Sequence, residues 1–135
     1  MAVKVLTNAS ITVNAIDLST KSNSVTLNYE IDSVEVTAFG DGGHKFVGGL
    51  QNLSCDIEFM QDFAAAEVEA TIFPLVGTTT TVTVRGSSTA TSATNPLYTL
   101  SGTFLAAHTP VAAAVGELAM TSLSFTGGTL VKTTS

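Results

Sequence analysis

Residues 53–60 read LSCDIEFM. Leu53, Cys55, Ile57 and Phe59 share one parity, and Ser54, Asp56 and Glu58 share the other. Successive side chains of a strand point to opposite faces, so this run predicts a strand with an apolar inner face and an acidic outer one. Period two continues through most of the chain. SVTLNYEI (24–31) alternates Val25, Leu27, Tyr29 and Ile31 with Thr26, Asn28 and Glu30, and VEVTAF (34–39) is a second β-rich run after Asp32 and Ser33. TTTTVTVR (78–85), LYTLSGTFLA (97–106) and LAMTSLSFT (118–126) are rich in Thr and in branched or aromatic residues, as strands prefer, and ASITVNAI (9–16) is a weaker strand.

One segment departs from this rhythm. DFAAAEVEATIFPLVG (62–77) has Ala-rich helical propensity, with Asp62 as N-cap. Phe63, Ala66, Ala70 and Phe73, with Ile72 beside them, form an apolar stripe predicted to face the core. Pro74 should end the helix near Phe73, and Gly77 should mark the turn into the next strand. The chain, 135 residues long, is therefore expected to form one mainly β domain over 1–135. Its fold class is a β-sandwich or small barrel with one short flanking α-helix and long loops. The loops are FGDGGHKFVGGLQ (39–51), the Ser/Thr-rich RGSSTATSATNP (85–96) and HTPVAAAVGE (108–117).

The composition is poor in charge. Asp, Glu, Lys and Arg make up 12% of the residues, against roughly 25% in an ordinary soluble domain. A surface so thinly charged favours a subunit whose faces are covered by partners. Net charge is −6, which argues against gripping DNA or RNA, since that requires cations to displace phosphate counterions. Residues 1–20 carry no signal-like apolar core, and no apolar run reaches membrane-spanning length, so synthesis in the cytoplasm and no membrane role are expected. The lone cysteine, Cys55, excludes an internal disulfide and reads as a small core residue.

Catalytic signatures are missing. The glycines of 39–51 match neither GxxxxGK[ST] nor GxGxxG. His44 and His108, the two histidines, are accompanied by no GxSxG elbow, HExxH helix or metal-ligand spacing, although Asp41 could approach His44. The pairs Glu30 with Asp32 and Asp56 with Glu58 could suggest glycoside hydrolysis, but a chain without Trp and with two Tyr offers little to stack on a sugar. No cofactor or metal is expected.

In order along the chain, TAFGD (37–41), the Gly-Leu at 49–50 before an acidic strand, FMQDF (59–63), LVGTT (75–79) and SATNPLY (92–98) form a pattern. It resembles that of small tail-tube (major tail) proteins of long-tailed, non-contractile bacteriophages, and is most similar to forms from phages of actinobacteria. The resemblance spans roughly residues 25–126. Related virion parts, namely a head-tail connector or stopper, a tail terminator and a capsid decoration protein, are alternatives.

The resemblance implies a β-sandwich with a flanking helix and a long loop. It also implies assembly as a homo-oligomer of hexameric rings that stack into a tube in the virion tail, formed in the cytoplasm of the bacterial host. Double-stranded DNA passes through such a tube, and the partners are a tape measure, a terminator and a distal tail protein. Because carboxylates repel phosphate, the strand faces bearing Glu30, Asp32, Asp56 and Glu58 are the candidates for a channel lining. Gly40, Asp41, Gly42, Gly43, His44, Lys45, Gly48 and Gly49 are the candidates for a loop that orders against a neighbouring subunit.

Overall fold

The structure is a computed structural model and describes residues 5–134. It is mainly β with one short α-helix. The strands are β1 (Ser10–Val13), β2 (Ile16–Asp17), β3 (Ser22–Glu35), β4 (Phe46–Met60), β5 (Thr79–Arg85), β6 (Leu97–Leu105), β7 (Met120–Thr126) and β8 (Thr129–Thr133), and the helix α1 is Val68–Ile72. All ladders are antiparallel, in the order β2-β1-β5-β6-β7-β4-β3, with β8 also on β6. Asn14 and Ala15, both at positive φ, make the two-residue turn between β1 and β2, a geometry matched to strand twist.

Strand β6 joins the two halves. Its first half, Leu97–Ser101, pairs with β8, whereas Phe104 and Leu105 on the same edge pair with β7. The β7-β8 turn packs against the point of exchange. A Cβ on Gly128 would lie 2.3 Å from the Ser101 carbonyl oxygen, so only glycine fits there. The core consists of Ile11, Val13, Leu18, Leu53, Cys55, Ile57, Phe59, Val82, Val84, Leu100, Leu105, Leu123 and Phe125, with Val68 and Ile72 of α1 completing it. The parity of LSCDIEFM holds: Leu53, Cys55, Ile57 and Phe59 are buried. Burial pushes the Cys55 thiol up to about 12.

Three features differ from expectation. The run 24–31 continues through Asp32 and Ser33 to Glu35 as one strand, β3, with a β-bulge between the pairs Ile31–Gln51 and Ser33–Gly48, and residues 36–39, expected as a second β run, lie beyond its end. Strand β8 leaves little trace in the sequence, because its Leu130 is only partly buried and TLVKT has little alternation. The helix is also shorter and turned differently. The Asp62 carboxylate accepts the Ala64 N–H at 2.9 Å, and Ala66 takes φ 61, a left-handed conformation that helix cannot continue. This local turn competes successfully with helix, so α1 begins only at Val68, with Glu67 as N-cap. Its buried residues are Val68, Thr71 and Ile72, while Phe63, Ala66, Ala70 and Phe73 are exposed. A 3₁₀ turn, Phe73–Leu75, follows at Pro74.

Candidate functional site

Strands β3 and β4 run on together past the core as a hairpin arm. From Asn28 to Asn52 nearly every side chain is exposed, and the ladder continues to Glu35 opposite Phe46. The arm displays Tyr29, Ile31, Val34, Val36, Phe39, Phe46, Val47 and Leu50 to solvent. An exposed apolar patch of that extent marks an interaction surface.

The arm's tip is tied together by its own hydrogen bonds. The Val36 N–H donates to the Lys45 carbonyl at 2.8 Å, the Lys45 N–H to Thr37 Oγ1 at 3.0 Å, and the Ala38 N–H to Asp41 Oδ2 at 2.7 Å. Lys45 Nζ lies 2.8 Å from Asp41 Oδ1. The Lys45 ammonium and the Ala38 N–H hold the Asp41 carboxyl below its ordinary range. Thr37 donates to Glu35 Oε2 at 2.8 Å, and His44 Nδ1 reaches the same oxygen, and these contacts lower the Glu35 pKa. Asp41 and His44 therefore have different partners.

Of the glycine-rich set, Gly40, Asp41, Gly42, Gly43, His44 and Lys45 form the tip. Gly48 and Gly49 belong to β4, a correction to their reading as loop. They face the bulge: a Cβ on Gly49 would stand 3.2 Å from Val34 Cγ2 and 3.3 Å from the Asp32 carbonyl oxygen. The glycines of FVGGLQ thus shape a strand.

The acids lie on the arm and at its root. Asp56 sits between Thr26 of β3 and Ser124 of β7, and Glu58 between Ser24 and Ser122. Glu30 is opposite Asn52, on the same parity as Asp56 and Glu58. Asp32 follows two residues later at the bulge. Three neighbouring strands thus present one polar face whose charges are all negative, bordered by hydroxyls and amides. None of these four carboxylates takes part in an ion pair among the described residues.

Beneath the helix lies a polar cluster that the sequence did not reveal. His108 Nε2 is 2.8 Å from Glu69 Oε2, and His108 Nδ1 is 3.2 Å from Thr121 Oγ1. Gln61 Nε2 donates to Glu69 Oε2 at 3.0 Å and to the Pro110 carbonyl at 2.8 Å. A hydroxyl, an imidazole and a carboxylate in sequence have the connectivity of a hydrolytic triad. However, the His108 side chain is 2% exposed and Thr121 is 1% exposed, so nothing can reach the hydroxyl. The cluster acts as a clamp, fastening the 106–119 loop and α1 to the ends of β4 and β7.

The chain shares its fold with chains of a gene transfer agent particle and of an extracellular contractile injection system. A chain in the virion of a native gene transfer agent particle superposes with a TM-score of 0.71 at 12% identity, over 97% of this chain and 99% of the other. A chain from the sheath/tube terminator of the extracellular contractile injection system PVC, in the extended state, matches at TM-score 0.71 and 13% identity, over 96% of both chains. One from the sheath-tube complex of the same system matches at TM-score 0.69 and 12% identity, over 98% and 92%. No protein-family model and no curated protein sequence matches the chain.

At these identities the likeness is one of fold, and it covers both chains almost end to end. The arm, the clamped loop and the helix all lie within the shared span. Two exposed apolar features carry no periodic signature in the sequence. One is an apolar groove of about 430 Å³ at the mouth of the sheet, lined in part by Leu6, Val25, Leu27, Tyr29, Val84 and Tyr98. The other is the exposed Phe63, Val111, Val115 and Leu118 on the helix side. Phe63 is exposed rather than packed on the core as its spacing predicts.

Proposed function

We propose that the protein is the tail-tube subunit of a long, non-contractile phage tail, acting as one tail-tube-like domain over residues 1–135. Its copies form hexameric rings that stack into a tube, and double-stranded DNA passes along the channel during genome delivery. The tape measure, terminator and distal tail proteins are its partners in the virion. The observation that carries this reading is the two-way, nearly full-length fold match to chains of a sheath-tube complex and of a sheath/tube terminator, in a molecule with a projecting apolar arm. The fold occurs in a contractile system, so the assignment to a sheathless tail rests on the sequence resemblance.

The acidic face fits the channel wall. Glu30, Asp32, Asp56 and Glu58 would repel the phosphate backbone and let it slide, whereas lysines there would hold it. The arm residues Gly40, Asp41, Gly42, Gly43, His44 and Lys45 would meet a neighbouring subunit. A heterologous contact of this sort closes a ring or extends a filament.

The test is electron microscopy of the purified protein at rising concentration. Hollow tubes of constant diameter and open length support the reading, and a monomer at every concentration overturns it. Replacing residues 37–44 with a two-residue turn should leave the fold intact and abolish the tubes. A second reading, a tail terminator, draws on the match to a sheath/tube terminator chain. It requires single rings that cap tubes made by another protein and never elongate.

A further inference from the structure

The arm tip carries a pair of residues able to react with one another. Asp41 is followed by Gly42, and no other Asp or Asn of the chain precedes a glycine. The Cγ of an aspartyl side chain can be attacked by the backbone nitrogen of the residue that follows. Glycine leaves that approach unhindered, because it lacks a Cβ and has the widest backbone freedom.

At this pair the nucleophile is open. Gly42 is exposed and its N–H makes no backbone hydrogen bond among the described residues. A Cβ built on Gly42 would meet nothing within 4 Å. The electrophile, in contrast, is guarded. Asp41 Oδ1 lies 2.8 Å from Lys45 Nζ, and Oδ2 accepts the Ala38 N–H at 2.7 Å. Both contacts favour the charged carboxylate and hold the group still. Ring closure consumes the other form: oxygen leaves Cγ as water from the protonated acid, whereas a carboxylate would have to expel oxide.

We propose that Asp41–Gly42 is a latent isoaspartate site, kept from reacting by Lys45 and the Ala38 N–H. In the step they suppress, the Gly42 nitrogen bonds to Asp41 Cγ and gives up its proton, and the Cγ–OH bond breaks with loss of water. The succinimide so formed takes up one water at the former main-chain carbonyl of Asp41. The main chain then runs through Cβ and Cγ, one methylene longer, and the free carboxylate is the former main-chain one. Lys45 and the Ala38 N–H thereby lose the acceptor that ties the tip. None of this chemistry depends on what the chain assembles into.

The test follows isoaspartate at position 41 in full-length wild type, Lys45→Ala and Lys45→Arg, kept for weeks in dilute neutral buffer and read by peptide mapping with mass spectrometry. Conversion should be roughly threefold faster or more in Lys45→Ala than in wild type, as loss of one charge-assisted contact allows. Lys45→Arg should match wild type, since it keeps a cation opposite the carboxylate. Adding Gly42→Ala to the Lys45→Ala chain should slow conversion again. In denaturant, wild type and Lys45→Ala should convert alike, and wild type faster than when folded. Equal rates in folded wild type and Lys45→Ala overturn the proposal, as does a wild type that converts as fast folded as denatured. Lys45→Arg reacting as fast as Lys45→Ala overturns the part given to the cation.

Discussion

The imidazole of His108 and the carboxylate of Glu69 meet at 2.8 Å across 39 positions of sequence, and they fix how the helix and the 106–119 loop sit on the sheet. Glu69→Leu would leave the His108 ring N–H and the Gln61 amide without their acceptor. Orphaned buried donors cost about 1–3 kcal/mol, so an unfolding free energy lowered by that amount is expected from urea titration. Hydrogen exchange in 106–119 should rise in the same variant. Unchanged exchange there would show that the loop is held by other contacts.

The helix presents Ile72 inward and Phe73 outward. Ile72→Ala should cost about 2–5 kcal/mol, as a fully buried aliphatic truncation does. Phe73, 62% exposed, should tolerate alanine within about 0.5 kcal/mol. Chemical denaturation of both variants checks the pair, and a reversed order would mean the helix is rotated.

Asp56 and Glu58 bear on the channel assignment. Changing both to lysine keeps the alternation of β4, and surface substitutions of this kind usually fall within about 0.5 kcal/mol. Tubes should therefore still assemble. DNA passing a basic wall should be retarded, so infectivity per particle should fall while particle number holds. Full infectivity would place these residues outside the channel.

The arm tip should loosen only in strong acid. The Asp41 pKa is lowered from the ordinary 3.8, first by Lys45 and then by the Ala38 N–H. A lowered carboxylate pKa stabilises the fold above its unfolded value, and the contribution is lost as pH falls through the folded value. Ala38 amide exchange, corrected for its intrinsic pH dependence, should thus stay flat from pH 7 to about 5 and rise below about 4. Asp41→Asn should abolish that rise.

Most of the strands, and the buried face of β4, were legible in the alternation of the chain, whereas β8 and the start of β4 at Phe46 were not. Alternation is a property of neighbouring residues, and LSCDIEFM could be read because any strand with those residues must bury Leu53, Cys55, Ile57 and Phe59 together. The negative parity of Asp56 and Glu58 followed from the same rule. Choices between competing local options, and meetings of distant residues, emerge only in the folded chain. Phe63 and Phe73 are as apolar as Val68 and Ile72. The Asp62 turn and the left-handed Ala66 settled which face lies inward, and that rested on hydrogen bonds with no periodic signature. Gly48 and Gly49 look like loop residues until Ile31 is seen against the first and Asp32 and Val34 against the second. Glu69, His108 and Thr121 carry no motif, because their proximity is created by the path of the chain between them.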